Sequence, residues 1–483
     1  MRLFQFVKTN LTTTSLKQYF LVGLVLQCFL GLYKLFAIPR VLYDEALYSY
    51  TSLAFIENMS FYHDFALFAG KEFCLYPLLL ALYSKCVGLS FETGRLFSFG
   101  CGVMSYGLFF KLIQRLNVSL KLSVIALIGF LSANTLFVSF RVIRPEALLI
   151  LLVLCLFILL CDFCNNTQKI RSNVGLGFIL AALSLTHFIG FLFVLPICVF
   201  IAIKVIYQKQ YIKVFYLFCG ALPILIILGL NINDLMGYQD IYEDIGSNKR
   251  VFPEWVRMKN NIKYFFLQNY ILGFKRIYIV LVELCALIFG LTLIKRQPFI
   301  GIITIATWSM VILGFACIDN FLRPYYSVVP MVCLLIVVWV SQYQKKYQQH
   351  FIFFTCLYVL NHAIGNMYIM GINHDNVSFS DIKKHFQTEL IKDIPVGGDR
   401  MLWYLHPRLD WIKSISQTND HDHYYFYQLA SKESTLSSLT KTAAVKKLQL
   451  SKKILKVTAT QQLDTELTAT PYGLIQRLKI TEP

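Results

Sequence analysis

The chain has 483 residues, of which 57% are hydrophobic, 15% aromatic and only 15% charged, with a mean hydropathy of +0.58. No single soluble core absorbs that much apolar surface, so the composition points to a polytopic membrane protein. The net charge of +18 would suit nucleic acid, but Lys and Arg fall in short clusters between apolar runs, the pattern of topology-setting loops, and nucleic-acid binding is set aside.

The segment MRLFQFVKTN leads into an apolar run from Tyr19 to Ile38 that lacks a small-residue cleavage site, so it reads as an uncleaved first span. Further runs long enough to span fall at about 95–113, 120–140, 146–163, 174–190, 191–207, 214–231, 277–294, 299–318, 325–343 and 351–370, eleven in all. The run Phe73 to Leu89 is shorter, interrupted by Tyr76, Pro77 and Lys85, and reads as a twelfth span or an interfacial helix. Charge decides between the two. If that run does not cross, the loops on the N-terminal side collect Arg2, Lys8, Lys17, Lys111, Arg115, Lys121, Lys169, Arg171, Lys204, Lys209, Lys213, Lys295, Arg296, Lys345 and Lys346, opposed only by Asp162. If it crosses, the positive-inside pattern fails in almost every later loop. The expected topology is therefore about eleven transmembrane helices in an inner (cytoplasmic) membrane, with a cytoplasmic N-terminus.

All thirteen Cys lie between Cys28 and Cys356, mostly within apolar runs, and suggest no disulfide framework. Cys161 and Cys164 form a CxxC without a second pair nearby and read as small membrane hydrophobes. The loop from Ile232 to Arg276 switches from acidic to basic with aromatics interleaved, which suits an interfacial helix or a lid as well as a connector. From about Gly371 the composition turns polar, so the chain divides into a transmembrane domain, 1–370, and a soluble extracytoplasmic domain, 371–483. Within the latter, 380–394 reads as a helix and 401–405, 423–429, 454–460 and 474–480 as strands, giving an α/β or α+β domain.

This topology gathers the polar residues on one face. The adjacent acids Asp44 and Glu45 follow the first span at the edge of the hydrocarbon, where a carboxylate stays ionised beside a partly desolvated cleft and suits a general base. The same two acids would also favour the N-terminus of the helix that follows them. On that face too lie Lys71, Arg95, Arg141, the sequence Arg144-Pro145-Glu146 opening one span, the Thr186-His187 turn, and Arg323-Pro324-Tyr325-Tyr326 opening another. Pro fits the first helical turn, and Arg offers a phosphate a planar, bidentate, permanently charged partner. Carboxylates, cations and room for an apolar tail together suggest a reaction on a lipid phosphate.

The order of these motifs resembles the GT-C glycosyltransferases: Tyr43-Asp44-Glu45 after the first span, Gly70-Lys71 before a Pro-bearing run, Gly94-Arg95-Leu96, Arg144-Pro145-Glu146 and Arg323-Pro324-Tyr325-Tyr326. The closest branch is that of protein O-mannosyltransferases and lipid A aminoarabinose transferases, and the similarity runs from residue 19 to about 340. The resemblance implies transfer of a sugar from a polyprenyl-phosphate donor on the periplasmic face, with inversion at the anomeric carbon. It implies Asp44 as catalytic base, with Glu45 beside it and Glu146 where relatives carry a second acid, often Asp. Lys71 matches a basic residue near the donor phosphate. Arg95, Arg144 and Arg323 extend that cationic set on electrostatic grounds, and Tyr43, His187 and Tyr326 complete the expected substrate-binding group. The C-terminal domain is likewise similar to that of many members.

Two departures stand out: Lys71 is followed by Glu-Phe-Cys-Leu-Tyr before Pro77 rather than closely by Pro, and Glu146 replaces Asp. The expected partners are the polyprenyl-phosphate sugar, a glycolipid, glycan or protein acceptor, and the bilayer. No metal ligands are assigned, and two separated carboxylates leave a divalent ion open. Two other readings are a glycan polymerase or ligase, which would place its key residues in a large late loop, and a transporter or flippase, which would need mid-span charges and internal repeats. Glu283 is the main charge inside a span, and no repeat is evident.

Overall fold

The computed structural model describes residues 2–37, 43–58, 75–165, 170–230, 255, 258–259, 277–317, 322–343, 348–372, 396–398, 423–430, 464–470 and 473–481. Its first half comprises α1 (Arg2–Leu32), α2 (Tyr43–Asn58), α3 (Leu75–Val87), α4 (Phe91–Arg115), α5 (Leu120–Ser132), α6 (Asn134–Ser139) and α7 (Pro145–Cys164). Then come α8 (Ile170–Thr186), α9 (Phe188–Tyr207), α10 (Ile212–Leu230), α11 (Ile277–Thr292), α12 (Pro298–Cys317), α13 (Leu322–Tyr343) and α14 (Gln348–Ile372). Among the described residues, five segments are long and apolar enough to cross a membrane: Ser15–Leu32, Phe91–Arg115, Pro145–Cys164, Ile189–Tyr207 and Gln348–Gly371. The chain is a multi-pass membrane protein.

Helix α7 is the axis. It is the most apolar of these five segments, and most of it is buried in protein. Polar groups therefore cluster at its two ends. At the C-terminal end Arg115 pairs with Asp162, and the Lys204 ammonium donates to the Phe163 and Cys164 carbonyls at 2.8 and 3.0 Å. Cations there satisfy the orphan carbonyls and complement the helix dipole. The N-terminal end forms part of the site described below.

Helix α3 has 13 residues, about 20 Å at ~1.5 Å per residue, which falls short of a hydrocarbon core of ~30 Å. It is held by Tyr76, whose ring meets Tyr48 of α2 edge-on and whose hydroxyl hydrogen-bonds Ser98 of α4 at 3.0 Å. Helix α4 starts with a capping box: the Thr93 amide donates to Ser90 Oγ, and the Ser90 amide donates to Thr93 Oγ1.

One expectation needs correction. The apolar run 120–140 is not a continuous span; it breaks at Ala133 between α5 and α6. The small polar stretch Ser132-Ala133-Asn134 marks the break, and His362 of α14 stabilises it by accepting the Asn134 amide on Nδ1 at 3.2 Å. Asn366, one turn along α14, donates to the Ser132 carbonyl at 2.8 Å. Backbone groups freed inside a membrane are tolerated only when neighbouring helices satisfy them, and α14 does so here. Glu283, the isolated acid within α11, is buried and accepts the Tyr358 hydroxyl at 3.0 Å.

In the C-terminal region the described strands are β1 (Val396–Gly398), β2 (His423–Ala430), β3 (Asp464–Thr470) and β4 (Gly473–Thr481), in the order β1-β2-β4-β3. β1 runs parallel to β2, and the other two pairings are antiparallel, with His423 opposite Thr481 and Thr470 opposite Gly473. The strands expected at 423–429 and 474–480 are therefore present. The helix expected at 380–394, the strands at 401–405 and 454–460, and the loop 232–276 apart from residues 255 and 258–259 lie outside the described residues.

Helices α8 and α10 meet through reciprocal glycines: a Cβ on Gly177 would stand 1.9 Å from the Leu217 carbonyl oxygen, and one on Gly220 would stand 1.9 Å from that of Val174. Small residues let backbones approach where lipid removes the usual hydrophobic drive. Gly220→Val should therefore destabilise the detergent-solubilised protein by about 1–3 kcal/mol, read as a lower thermal midpoint. Gly229→Ala, where an added methyl meets nothing within 4 Å, should cause no such loss.

Candidate active site

The site grows from the first turn of α2. Glu45 is fully buried there, and its carboxylate receives both arms of Arg95 from α4, Nε to Oε2 at 3.0 Å and Nη2 to Oε1 at 2.8 Å. Oε2 also accepts the Ile143 amide at 3.0 Å, and Arg95 Nη1 donates to the Leu35 carbonyl at 2.8 Å. The guanidinium lies over the Phe91 ring, 4.4 Å from its centroid, one helical turn back along α4. One ion pair thus joins the segment after α1, the start of α2, α4 and the approach to α7. A buried bidentate pair is tolerated when further hydrogen bonds satisfy the remaining donors and acceptors.

Beside it, Arg141 reaches across to the end of α1. Its Nη1 donates to the Leu30 and Gly31 carbonyls, each at 2.8 Å, its Nη2 donates to Tyr33, and its guanidinium lies 4.8 Å from the Phe137 centroid. A cation on the last carbonyls of α1 both caps and complements the helix. Arg141 therefore acts as architecture, a role its place in the sequence did not disclose.

The N-terminus of α7 carries the second cluster. Arg144 is the N-cap in extended conformation, and Pro145 opens the helix. Glu146 is paired with Arg144 through Nε to Oε2 at 3.1 Å and Nη2 to Oε1 at 2.9 Å. His187 caps α9, its Nδ1 accepting the Ile189 amide at 3.2 Å, so the ring proton belongs on Nε2. Burial drives the His187 pKa down to about 4, with the Arg144 charge adding to the fall and Glu146 opposing it. These three side chains share one electrostatic neighbourhood.

The remaining expected site residues are described less fully. Tyr43 and Asp44 lie in the first turn of α2, next to the anchored Glu45, and Arg323 and Tyr326 lie in the first two turns of α13; their side chains, and Lys71 entirely, fall outside the described residues. Glu45 and Arg95 face each other in the interior rather than an open cleft. Among the described residues no three His, Cys, Asp or Glu side chains converge as a metal site.

No family model matches the chain, and no curated protein matches it. Among solved structures it is similar to ArnT from Cupriavidus metallidurans in the apo state, with a TM-score of 0.57 and 10% identity over 96% of this chain and 98% of that one. It is also similar to ArnT from the same organism bound to undecaprenyl phosphate, with a TM-score of 0.59 and 10% identity over 95% and 97% of the two chains. The chain therefore has the fold of ArnT over nearly its whole length.

Removing one partner of the buried pair leaves an uncompensated charge, so Arg95→Leu should cost about 3–5 kcal/mol. Glu45→Gln combined with Arg95→Leu should recover much of that loss, measured as a double-mutant cycle on thermal unfolding. For His187, the folded pKa of about 4 lies below the ordinary 6.5, so the unfolded chain takes up this proton first. Stability from this source is complete above 6.5 and is lost as pH falls toward 4. His187→Gln should flatten the decline of the thermal midpoint across that window.

Proposed function

We propose that this protein is an integral-membrane glycosyltransferase that moves one sugar from a polyprenyl-phosphate carrier to an acceptor outside the cytoplasmic membrane, with inversion at the anomeric carbon. The observation that carries this reading is the Glu45–Arg95 pair, which fixes the first turn of α2, with Asp44 in it, against the segment leading to Arg144 and Glu146. The ArnT fold supports it, since one ArnT structure is described as bound to undecaprenyl phosphate.

In this mechanism Asp44 takes the proton from an acceptor hydroxyl. The resulting oxygen attacks the anomeric carbon on the face away from the phosphate, and the bond from that carbon to the phosphate oxygen breaks, leaving polyprenyl phosphate with one more negative charge. Lys71, Arg144 and Arg323 are the cations that stabilise that charge, the task of preorganised donors at a departing phosphate. Glu146 holds Arg144 in place, His187 presents an Nε2 donor beside them, and Tyr43 and Tyr326 flank the substrate. Glu45 and Arg95, fully enclosed, act as positioning residues rather than as base and phosphate ligand. The chain crosses the membrane eleven times with its N-terminus in the cytoplasm, and residues 371–483 form an extracytoplasmic α/β domain beyond the transmembrane domain 1–370.

The decisive experiment is deletion of the gene, mass spectrometry of envelope glycolipids and glycoproteins, and complementation. Wild type should restore one lost sugar mass. Asp44→Asn, shown to be inserted at wild-type levels, should lower turnover by about 10²–10⁴-fold while leaving donor binding intact. Full restoration by Asp44→Asn would make Asp44 a helix-terminal acid and remove the proposed base.

A further inference from the structure

A second site lies away from the proposed chemistry. Helices α11, α13 and α14 enclose a half-open cavity of about 320 Å³, lined almost wholly by apolar atoms from residues that include Ala286, Phe289, Cys333, Val337, Thr355 and Tyr358. Tyr358 and Thr355 form a buried floor, whereas Phe289 and Phe354 at the rim are about half exposed, with Ile288 and Leu357 beside them equally exposed. In a membrane-spanning bundle such a rim faces hydrocarbon. At ~30 Å³ per water- or methylene-sized unit, the space holds about ten chain carbons.

One end of this groove is basic. Six residues beyond Phe289, in the turn that links α11 to α12, Lys295 and Arg296 stand exposed, just past the end of α11 at Thr292. That turn is on the opposite side of the membrane from Arg144 and Glu146. Phe299, just after it, packs on Phe157 in the C-terminal half of α7, whereas Glu146 lies in that helix's first turn. The cations are thus remote from the donor phosphate of the proposed reaction.

We infer that the α11–α13–α14 groove and the Lys295–Arg296 turn together form a binding site for an anionic phospholipid of the leaflet on that side, one acyl chain filling the groove and the phosphate resting between the two cations. Charge complementarity selects an anionic head group, and the cavity's shape and apolar lining select a chain. The inference does not depend on the proposed transferase activity.

The test is native mass spectrometry of the full-length protein purified in mild detergent, together with thermal unfolding in nanodiscs of phosphatidylglycerol and of phosphatidylcholine. The wild type should retain an anionic phospholipid and melt higher in phosphatidylglycerol. Lys295→Glu with Arg296→Glu, shown to be inserted at the wild-type level and to melt like wild type in phosphatidylcholine, should cut retention at least tenfold and abolish the preference for phosphatidylglycerol. Ala286→Phe, which fills the groove, should cut retention of every phospholipid class. Equal retention in wild type and both variants, absence of any bound lipid, or identification of the retained molecule as a polyprenyl phosphate would each overturn the assignment.

Discussion

The arrangement around the proposed site depends on one buried ion pair. Glu45 and Arg95 are 50 residues apart in sequence and come from helices that have little else in common. Between them they use one carboxylate and one guanidinium to hold four pieces of backbone. In hydrocarbon neither side chain survives alone, so the pair admits a single arrangement of α2 against α4. That specificity is the property for which buried polar pairs are best suited, even where apolar replacements would be as stable. Positioning at a reacting centre has to be accurate to a fraction of an ångström. A rigid link beneath Asp44 gives a short helix at the membrane edge a precision it could not reach from its own contacts.

The other charged groups follow the same logic at the ends of helices. Arg141 closes α1, Lys204 and Arg115 close α7, and Arg144 with Glu146 opens it. Each places charge where orphan backbone groups wait and where the hydrocarbon thins. The middle of the bundle is left to dispersion packing, small-residue contacts such as Gly177 with Gly220, and a few satisfied polar pairs such as Glu283 with Tyr358. Nothing inside the bundle needs to be charged for the proposed reaction, because the chemistry sits at its rim.

The helical architecture was readable in the sequence because most apolar runs are long and the short loops on one side of them are basic. Arg144 and Glu146 stood out in the sequence as one motif, with Pro145 between them opening the helix, but their mutual ion pair was not read from it. Nor were pairs formed across long separations. Glu45 and Arg95 each looked like a residue waiting for a substrate, since nothing in a linear chain reveals that two such groups consume each other. The break at Ala133 was hidden for a related reason. Hydropathy averages over Ser132 and Asn134, and the side chain that stabilises the break, His362, is 228 positions away. In the C-terminal region the alternating residues of β2 and β4 signalled strands, whereas β3, DTELTAT, has too few large apolar residues to stand out, and β1, VGG, is too short.

The grip of Arg141 on the end of α1 sets a clock for biosynthesis. The carbonyls of Leu30, Gly31 and Tyr33 find their partner 108 to 111 residues later in the chain. At about 5–20 residues per second of synthesis, the first helix emerges and waits roughly 5–20 s before its end can be closed. During that interval the Leu35 carbonyl can already be reached by Arg95, which is made first. The N-terminal helix is therefore docked in two steps, first by α4 and then by the approach to α7. Until residue 141 is made, those carbonyls can bond only to water or to other groups at the membrane edge.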